Sequence, residues 1–268
     1  MMKHILAGAA LALVATAAQA DVVTPADLQG WAPANVRANG AVEITGAYKP
    51  AGETGSLQFT TNTGSAADTT DKADYVHALN GTLGDLINGG ALSFDYFVDS
   101  SSTVPEYLAP ALRLGFLDEA SGKTGYLIWE DVYNGGAVGT SVPNDTWVSN
   151  DILGGNFWLR SFSPGFTVEN YGVSLSEWAG GQGYTTPGGT FSLSAATRIL
   201  SVEVGVGSGW GGAFNGAVDH VLVDFGTGSG GVSANFESGV PEPGAWALMI
   251  LGFGGVGAVL RRRQAVAA

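Results

Sequence analysis

Apolar and polar residues alternate with a period of two in two stretches of the chain. In residues 92–99 apolar side chains occupy the even positions, and mostly polar ones occupy the odd positions. Residues 200–206 repeat the pattern, with leucine or valine at every even position. A period of two places successive side chains on opposite faces of an extended backbone. We therefore predict two strands, each with one apolar face on a core.

Shorter apolar runs bounded by turn residues predict further strands. Glycine-containing turns such as Asn88-Gly89-Gly90 and Asn134-Gly135-Gly136 separate them. The predicted strands are residues 42–48, 57–61, 112–117, 125–130, 157–162, 217–225 and 232–236. One helix is predicted at residues 71–79, because acidic residues open the segment and Asn80-Gly81 closes it.

Composition agrees with this pattern of strands. Glycine supplies 42 of the 268 residues and charged residues only 13%, which favours short strands joined by tight turns over surface helices. A single helix is too few for a βαβ arrangement. We therefore predict an all-β fold, a jelly-roll-like β-sandwich in one domain.

The last 29 residues, 240–268, have three distinct parts. A Pro-Glu-Pro sequence comes first, and its prolines favour extended backbone. Residues 244–260 carry no charge, and as a helix they would span about 26 Å, just enough for a thin bilayer. An arginine cluster follows and favours a cytoplasmic location for that end. The pattern predicts a short transmembrane helix with the rest of the chain outside.

This tail resembles the PEP-CTERM sorting signal. The matching residues are Pro241, Glu242, Pro243, Trp246, Ala247, Gly252, Phe253, Gly254, Arg261, Arg262 and Arg263. The resemblance implies an exosortase partner, a membrane-embedded cysteine protease or transpeptidase that processes the chain after the helix has anchored it. It also implies delivery to the surface or exopolysaccharide matrix of a Gram-negative-type bacterium. The alternative is an ordinary C-terminal anchor.

The other end of the chain predicts export. Lys3 precedes an apolar stretch at residues 5–18, and the small residues Ala18 and Ala20 form a signal-peptidase cleavage pattern. The mature chain should then begin near Asp21. The predicted division is a signal peptide at 1–20, a β-sandwich domain at 21–239 and a sorting signal at 240–268.

Charge and cysteine content exclude several classes of function. Between the two predicted signals the chain has 23 acidic and 7 basic residues. This negative charge argues against nucleic acid and anionic lipid surfaces as partners. The chain has no cysteine, so thiol nucleophiles, zinc-thiolate sites and iron-sulfur clusters are excluded. His220 alternates with its neighbours on a predicted strand, where we expect it to face solvent or a hydrogen-bonding partner rather than to serve a catalytic triad.

No cofactor is expected, and structural calcium is the one ion left open. Asp68, Asp71 and Asp74 lie in one stretch and offer the oxygen ligands that calcium needs. Asp219 and Asp224 are a second location. The alternative for the first group is a solvated acidic loop.

Two tryptophans, Trp178 and Trp210, lie among glycines, as does Tyr184. Small neighbours favour exposure of an aromatic face, and such a face stacks on the C–H face of a sugar ring. Side chains able to bond sugar hydroxyls lie nearby in the sequence: Glu177, Gln182 and Asn215. These six residues form the candidate glycan site. The alternative is that the tryptophans plug the ends of the sandwich.

The body of the chain also resembles jelly-roll domains of the galactose-binding and laminin-type families, through residues 89–96 and 214–221. We therefore expect an exported, noncatalytic protein that binds glycan or contributes structure to the matrix. One alternative is a polysaccharide hydrolase or lyase, although paired carboxylates at glycosidase spacing are absent from the sequence. Another is adhesion to ice or a solid surface, which would need more than the isolated threonine cluster at 60–63.

Overall fold

Sixteen strands and two short helices form the regular structure of the residues that the computed structural model describes, namely 20–62, 70–228 and 230–239. The strands are β1 (Asp21–Val23), β2 (Ala32–Arg37), β3 (Ala41–Thr45), β4 (Ser56–Asn62), β5 (Lys72–Thr82), β6 (Ala91–Val98), β7 (Ala111–Asp118), β8 (Lys123–Trp129), β9 (Trp147–Asp151), β10 (Trp158–Phe162), β11 (Gly165–Val168), β12 (Gly183–Thr186), β13 (Gly189–Ser192), β14 (Arg198–Gly207), β15 (Ala213–Asp224) and β16 (Val232–Phe236). The helices are α1 (Leu83–Ile87) and α2 (Leu175–Ala179), and a 3-10 turn covers Asp131–Tyr133.

Two seven-stranded sheets make the sandwich. The first sheet has the order β1-β16-β15-β4-β3, and β6 also pairs with β15 and carries β9 on its other side. The second sheet has the order β11-β10-β8-β7-β14-β5-β2, while β12 and β13 form a separate hairpin. The pairing of β1 with β16 is parallel, and the other named strands pair in antiparallel fashion. This arrangement confirms the all-β sandwich prediction.

The core lies between the two sheets and follows the alternation seen in the sequence. In β6, Leu92, Phe94, Tyr96 and Val98 are buried, whereas Phe97 and its odd-numbered neighbours are partly exposed on the outer face of the first sheet. Strand β14 confirms the second segment as a strand, with Val202, Val204 and Val206 buried. A bulge between Ile199 and Ser201 shifts the register, so Ile199 is buried where the alternation predicted Leu200. All seven shorter strand predictions also coincide with strands: β3, β4, β7, β8, β10, β15 and β16.

The helix predicted at residues 71–79 is wrong. These residues form most of β5, which pairs with β14 on one side and β2 on the other. Ala73, Tyr75 and Leu79 are buried at odd positions, so the segment has the period of a strand. The acidic residues that indicated a helix N-terminus instead make contacts across the sheet, as Asp74 shows below.

The predicted signals lie almost entirely outside the described residues. The predicted signal peptide lies outside the described residues except for Ala20. The predicted sorting signal at residues 240–268 lies entirely outside them. Within the described ranges, no helix is both long enough and apolar enough to cross a membrane.

Candidate functional site

The aromatic rings of the predicted glycan site are buried. Trp178 is 0% exposed and its indole N–H donates to the carbonyl of Phe157 at 2.7 Å. Tyr184 packs edge-on against it, with ring centroids 6.1 Å apart, and is also buried. The expected exposure is therefore wrong for both. The short helix α2 has Leu175, Trp178 and Ala179 on its buried side, and Tyr184 packs against Trp178 from β12. Their placement favours the alternative, that these rings close one end of the core.

Trp210 is buried too, against Phe214 at 5.6 Å between ring centroids. Trp210 lies just after the C-terminal end of β14. Trp178 is in α2, which packs on α1, and α1 is hydrogen-bonded to Ala195, just before the N-terminal end of β14. Trp178 and Trp210 thus lie at opposite ends of a ten-residue strand. The structure does not bring the six predicted residues into one site.

The three polar residues of the prediction have local roles. Glu177 accepts from the backbone N–H of Ser174 at 2.8 Å and completes the capping box of α2. Its pKa is lowered by those hydrogen bonds from Ser174. The Gln182 amide donates to the carbonyl of Gly183, and Asn215, on β15, donates to the Ser101 hydroxyl.

Asp74, a predicted calcium ligand, is fully buried in a charged network on the outer face of the second sheet. Arg113 donates to its Oδ1 at 2.7 Å, and Lys72 lies 2.5 Å from Oδ2. Burial, followed by the nearby Arg113 charge, lowers the pKa of Lys72 to about 8. Glu203 and Tyr126, which share a hydrogen bond, extend the network. Two cations already neutralise Asp74, which argues against it as a calcium ligand.

Asp71, a second residue of that calcium prediction, has hydrogen-bond partners of its own. Asp71 is buried, and its oxygens accept from the backbone N–H groups of Asn39 and Asn62 at 3.1 and 3.0 Å. Asp68 lies outside the described residues. A calcium ion in this loop therefore stays a prediction that only Asp68 and Asp71 support.

Three aromatic side chains meet instead on the outer face of the first sheet. Phe97 of β6 lies directly opposite Trp147 of β9 in the strand register, and their ring centroids are 5.7 Å apart. Tyr48, from the loop between β3 and β4, stacks on Phe97 with centroids 5.0 Å apart and ring planes at 24°. Each of the three rings is partly exposed. We call this group the aromatic cleft.

The aromatic cleft is an open depression of ≈ 580 Å³. Its walls are residues 46–51 and 145–147, with Phe97 at the base. A volume in the range of roughly 300–1,000 Å³ is typical of small-molecule sites. Polar groups at the rim include the carboxylate of Asp145 and the amine of Lys49, both on exposed residues. Apolar ring faces beside exposed donors and acceptors are what a sugar ring needs, because it has C–H faces and hydroxyl edges.

Hydrogen bonds hold the loop that carries Tyr48 against the sheet. Ser56 donates its hydroxyl proton to the carbonyl of Tyr48. Burial and a hydrogen bond to Asp99 raise the pKa of Tyr48 above its ordinary value. At the far end of the loop, the backbone N–H of Thr54 donates to Glu237 at 2.6 Å. These hydrogen bonds anchor the loop backbone at Tyr48 and at Thr54.

A second depression, of ≈ 410 Å³, lies where Trp129 and Tyr133 meet several asparagines. Its amides are already engaged within the protein. Asn134 donates to the carbonyls of Glu130 and Asn156, and Asn156 donates to the carbonyl of Tyr133 at 3.0 Å. These bonds join two loops, so the depression offers a ligand fewer free groups than the aromatic cleft does.

His220 confirms the expectation of a satisfied histidine. A β-bulge in β15 gives it a φ of 49°, and its two ring nitrogens contact Asp95 and Glu53 at 2.7 and 2.8 Å. The hydrogen bond to Asp95 raises the pKa of His220 to about 9, against the effect of burial. The neighbouring Asp219 is fully buried, and burial raises its pKa to about 8. Asp224 caps the turn after β15 through Gly226 and is exposed.

The sequence held one signal for the aromatic cleft. Phe97 occupies an outward position in an alternating strand, after Ser93 and Asp95 on the same face, and an aromatic ring there has no core to fill. Tyr48 and Trp147 gave no comparable signal, because their loop and edge-strand positions follow no period. They join Phe97 only through the pairing of β6 with β9 and the fold of the β3–β4 loop.

Comparison with known proteins concerns the two parts of the chain separately. Residues 239–263 match the PEP-CTERM protein-sorting motif. The chain carries a PEP-CTERM sorting motif. That match covers the tail and describes nothing of the sandwich. No curated protein matches the chain in sequence.

Three of the solved structures that resemble the sandwich to some extent are carbohydrate-binding modules. The family 11 module from Clostridium thermocellum is 11% identical with a TM-score of 0.36, and the match covers 78% of this chain and 91% of the module. The C-terminal family 22 module of Clostridium thermocellum Xyn10B is 13% identical with a TM-score of 0.37, and the match covers 76% of this chain and 92% of the module. The CBM22-1 xylan-binding domain of Paenibacillus barcinonensis Xyn10C is 13% identical with a TM-score of 0.34, and the match covers 73% of this chain and 84% of that domain. At this level of similarity the ligands of these modules are not transferred to this chain.

Proposed function

We propose that this PEP-CTERM protein is exported and binds a glycan of the producing cell's surface or exopolysaccharide matrix without acting on it chemically. The aromatic cleft carries this proposal. It combines partly exposed rings of Tyr48, Phe97 and Trp147 with rim groups that can bond hydroxyls, in an open volume of ≈ 580 Å³. Open clefts of this kind suit a segment within a long polymer, which has no free end to enter a closed pocket.

The charge of the chain narrows the class of glycan. With 24 acidic residues against 11 basic ones, the formal net charge is −13 at pH 7. Such a protein is repelled by polyanions at low salt. We therefore propose a neutral or weakly charged polysaccharide as the ligand.

Replacing Trp147 tests the cleft. Stacking on one aromatic ring contributes on the order of 1 kcal/mol, so Trp147→Ala should weaken binding by roughly five- to tenfold. Trp147→Phe should retain most of the affinity, because a ring face remains. Affinity gel electrophoresis with the producer's own exopolysaccharide, beside a panel of neutral polysaccharides, measures the change in mobility.

Phe162→Ala is the matched control for this experiment. Phe162 is 47% exposed on the second sheet, away from the cleft. The Phe162→Ala variant should therefore be retarded by the polysaccharide as much as the wild type is. Circular dichroism at increasing temperature checks that all three variants are folded. Wild-type mobility of a folded Trp147→Ala variant, or a loss of binding in Phe162→Ala, would contradict the assignment of the site.

The sorting motif supports the export half of the proposal. An exosortase should recognise Pro241, Glu242 and Pro243 while the following apolar segment and arginine cluster hold the chain in the membrane. The mature protein then lies at the cell surface or in the matrix. The signal peptide of residues 1–20 belongs to the same proposal.

If an exosortase processes the chain, the mature protein should have a new C-terminus. Mass spectrometry of the surface protein should find the chain ending near Pro241–Pro243, because the tail is removed with its arginines. Replacing Glu242 and Pro243 by alanine should reduce release from the membrane. Intact Arg263 on most of the surface protein would instead indicate a permanent anchor.

A noncatalytic role separates this proposal from a polysaccharide hydrolase or lyase. Incubation of the protein with the polymer that it binds should release neither reducing ends nor unsaturated products, and polymer length should not change. Release of either product would assign an activity to the chain.

A further inference from the structure

Three carboxylates surround one imidazole where the β3–β4 loop meets the outer face of the first sheet. Glu53 belongs to the loop, Asp95 to β6, and Asp219 and His220 to the bulge of β15. One ligand atom from each of Glu53, Asp219 and His220 lies within 4.8 Å of the others. Sequence distances of more than 160 residues separate the loop from the bulge, so only the tertiary fold brings these groups together.

Two carboxylate oxygens in this cluster are buried without a hydrogen-bond partner among the described residues. They are Oδ2 of Asp219 and Oε2 of Glu53. Asp219 is 0% exposed, and its other oxygen accepts from the backbone N–H groups of His220 and Phe236. A buried oxygen with no donor carries a desolvation cost that a bound ion removes. The bonds to Oδ1 hold this carboxylate beside His220.

Asp95 gives the imidazole the orientation of a metal ligand. Its Oδ2 lies 2.7 Å from Nδ1 of His220, while Nε2 points at Glu53. Histidines that bind metals usually donate the proton of the other ring nitrogen to a carboxylate, which fixes the ring and raises its basicity. We propose that Glu53, Asp219 and His220 bind a divalent transition-metal ion of the Zn²⁺ class, with Asp95 as the carboxylate that positions His220.

The donor set selects this class of ion. Calcium and magnesium take oxygen ligands, whereas imidazole nitrogen suits zinc and related divalent ions. Two carboxylates and one imidazole leave a fourth position for water in a tetrahedral site. The His220 side chain is 38% exposed, so water and the ion have access. The site shares Asp219 with the second calcium location predicted from the sequence, but its other ligands are Glu53 and His220 in place of Asp224.

The ion would connect the β3–β4 loop to the sheet. Glu53 is in the same loop as Tyr48, a wall of the aromatic cleft, and the other two ligands are in β15. In the ion's absence, the contact of Glu53 with His220 makes this connection. The metal site stands on its own geometry and does not depend on a glycan ligand.

Titration of the full-length chain with Zn²⁺ alone tests the site, after treatment with EDTA and dialysis. Isothermal titration calorimetry should show one ion per chain. Glu53→Gln and His220→Asn should lower the affinity at least tenfold; asparagine tolerates the positive φ at residue 220. Asp95→Asn should lower it about 10–100-fold through the orientation of the ring. Glu43→Gln, an exposed acid on β3 of the same sheet, is the control and should bind like wild type.

Thermal melts give a second readout, since an ion that binds only the native state raises its stability. Zn²⁺ should raise the melting temperature of the wild type and of Glu43→Gln, but not that of His220→Asn. The proposal is overturned if the wild type shows no saturable Zn²⁺ binding, or if folded Glu53→Gln and His220→Asn bind as tightly as wild type. Saturation by Ca²⁺ in place of Zn²⁺ also overturns it. No glycan is present, so these outcomes are independent of the proposed function.

Discussion

Trp178→Ala is expected to lower the free energy of unfolding by about 3–5 kcal/mol, as truncations of large buried aromatic residues do. The side chain is fully buried, contacts Tyr184, and donates its indole proton to Phe157 at 2.7 Å. Its loss leaves a cavity and a carbonyl without its donor. In a domain of this size, each kcal/mol lowers the melting temperature by about 2–4 °C. Urea unfolding followed by circular dichroism measures the change directly.

The same substitution at Trp147 is the matched control. Trp147 is partly exposed on β9, at the edge of the first sheet, so its truncation should cost far less stability while it weakens glycan binding. The two variants should therefore separate stability from binding. Wild-type stability in Trp178→Ala would show that the ring does not support the core, and would return Trp178 to the candidate binding residues.

Asp74→Ala is expected to destabilise the protein by about 3–5 kcal/mol, because removing one partner of a buried ion pair leaves charge uncompensated. Here two cations lose the carboxylate that they contact directly, since Arg113 and Lys72 both bind Asp74 and both are mostly buried. Replacing Lys72, Asp74 and Arg113 together by apolar residues of similar size should recover much of the loss. Chemical unfolding of the single and triple variants measures both effects.

An exposed ion pair provides the comparison for Asp74. Glu119 lies 3.4 Å from Arg198, with 65% and 40% of the two side chains exposed. Solvent screens such pairs, so Glu119→Ala should remain close to wild type. If Asp74→Ala were no more destabilising than Glu119→Ala, the buried network would make no net contribution to the fold.

Predictions from local pattern succeeded where neighbours in sequence decide the structure. Strand β6, and β14 from Val202 onward, follow from a period of two, because alternation determines which side chains face the core of a regular strand. The bulge that exchanges Leu200 for Ile199 in the core had no such signal. The β5 segment misled the same reasoning. Its acidic residues resembled a helix start, whereas the segment pairs as a strand with β14 and β2. Asp74 there contacts Arg113, which is 39 residues away in the sequence.

Burial of the tryptophans shows a second limit of local reasoning. Glycine neighbours made exposure of Trp178 and Trp210 plausible, but exposure depends on what packs above a ring. The carbonyl of Phe157 and the ring of Tyr184 meet Trp178 only after α2 and the β12–β13 hairpin have packed. Neither contact leaves a trace in the residues next to Trp178.

The sequence by itself determined the all-β class, most of the principal strands and the sorting motif. Each of these depends on residues that are contiguous or regularly spaced, so a single pass along the chain contains the information. Tertiary structure alone decided the aromatic cleft and the cluster at His220. Tyr48, Phe97 and Trp147 come from three separate segments, as do Glu53, Asp95 and Asp219. Strand pairing and loop packing determine their distances, because nothing in the local sequence relates the segments to one another.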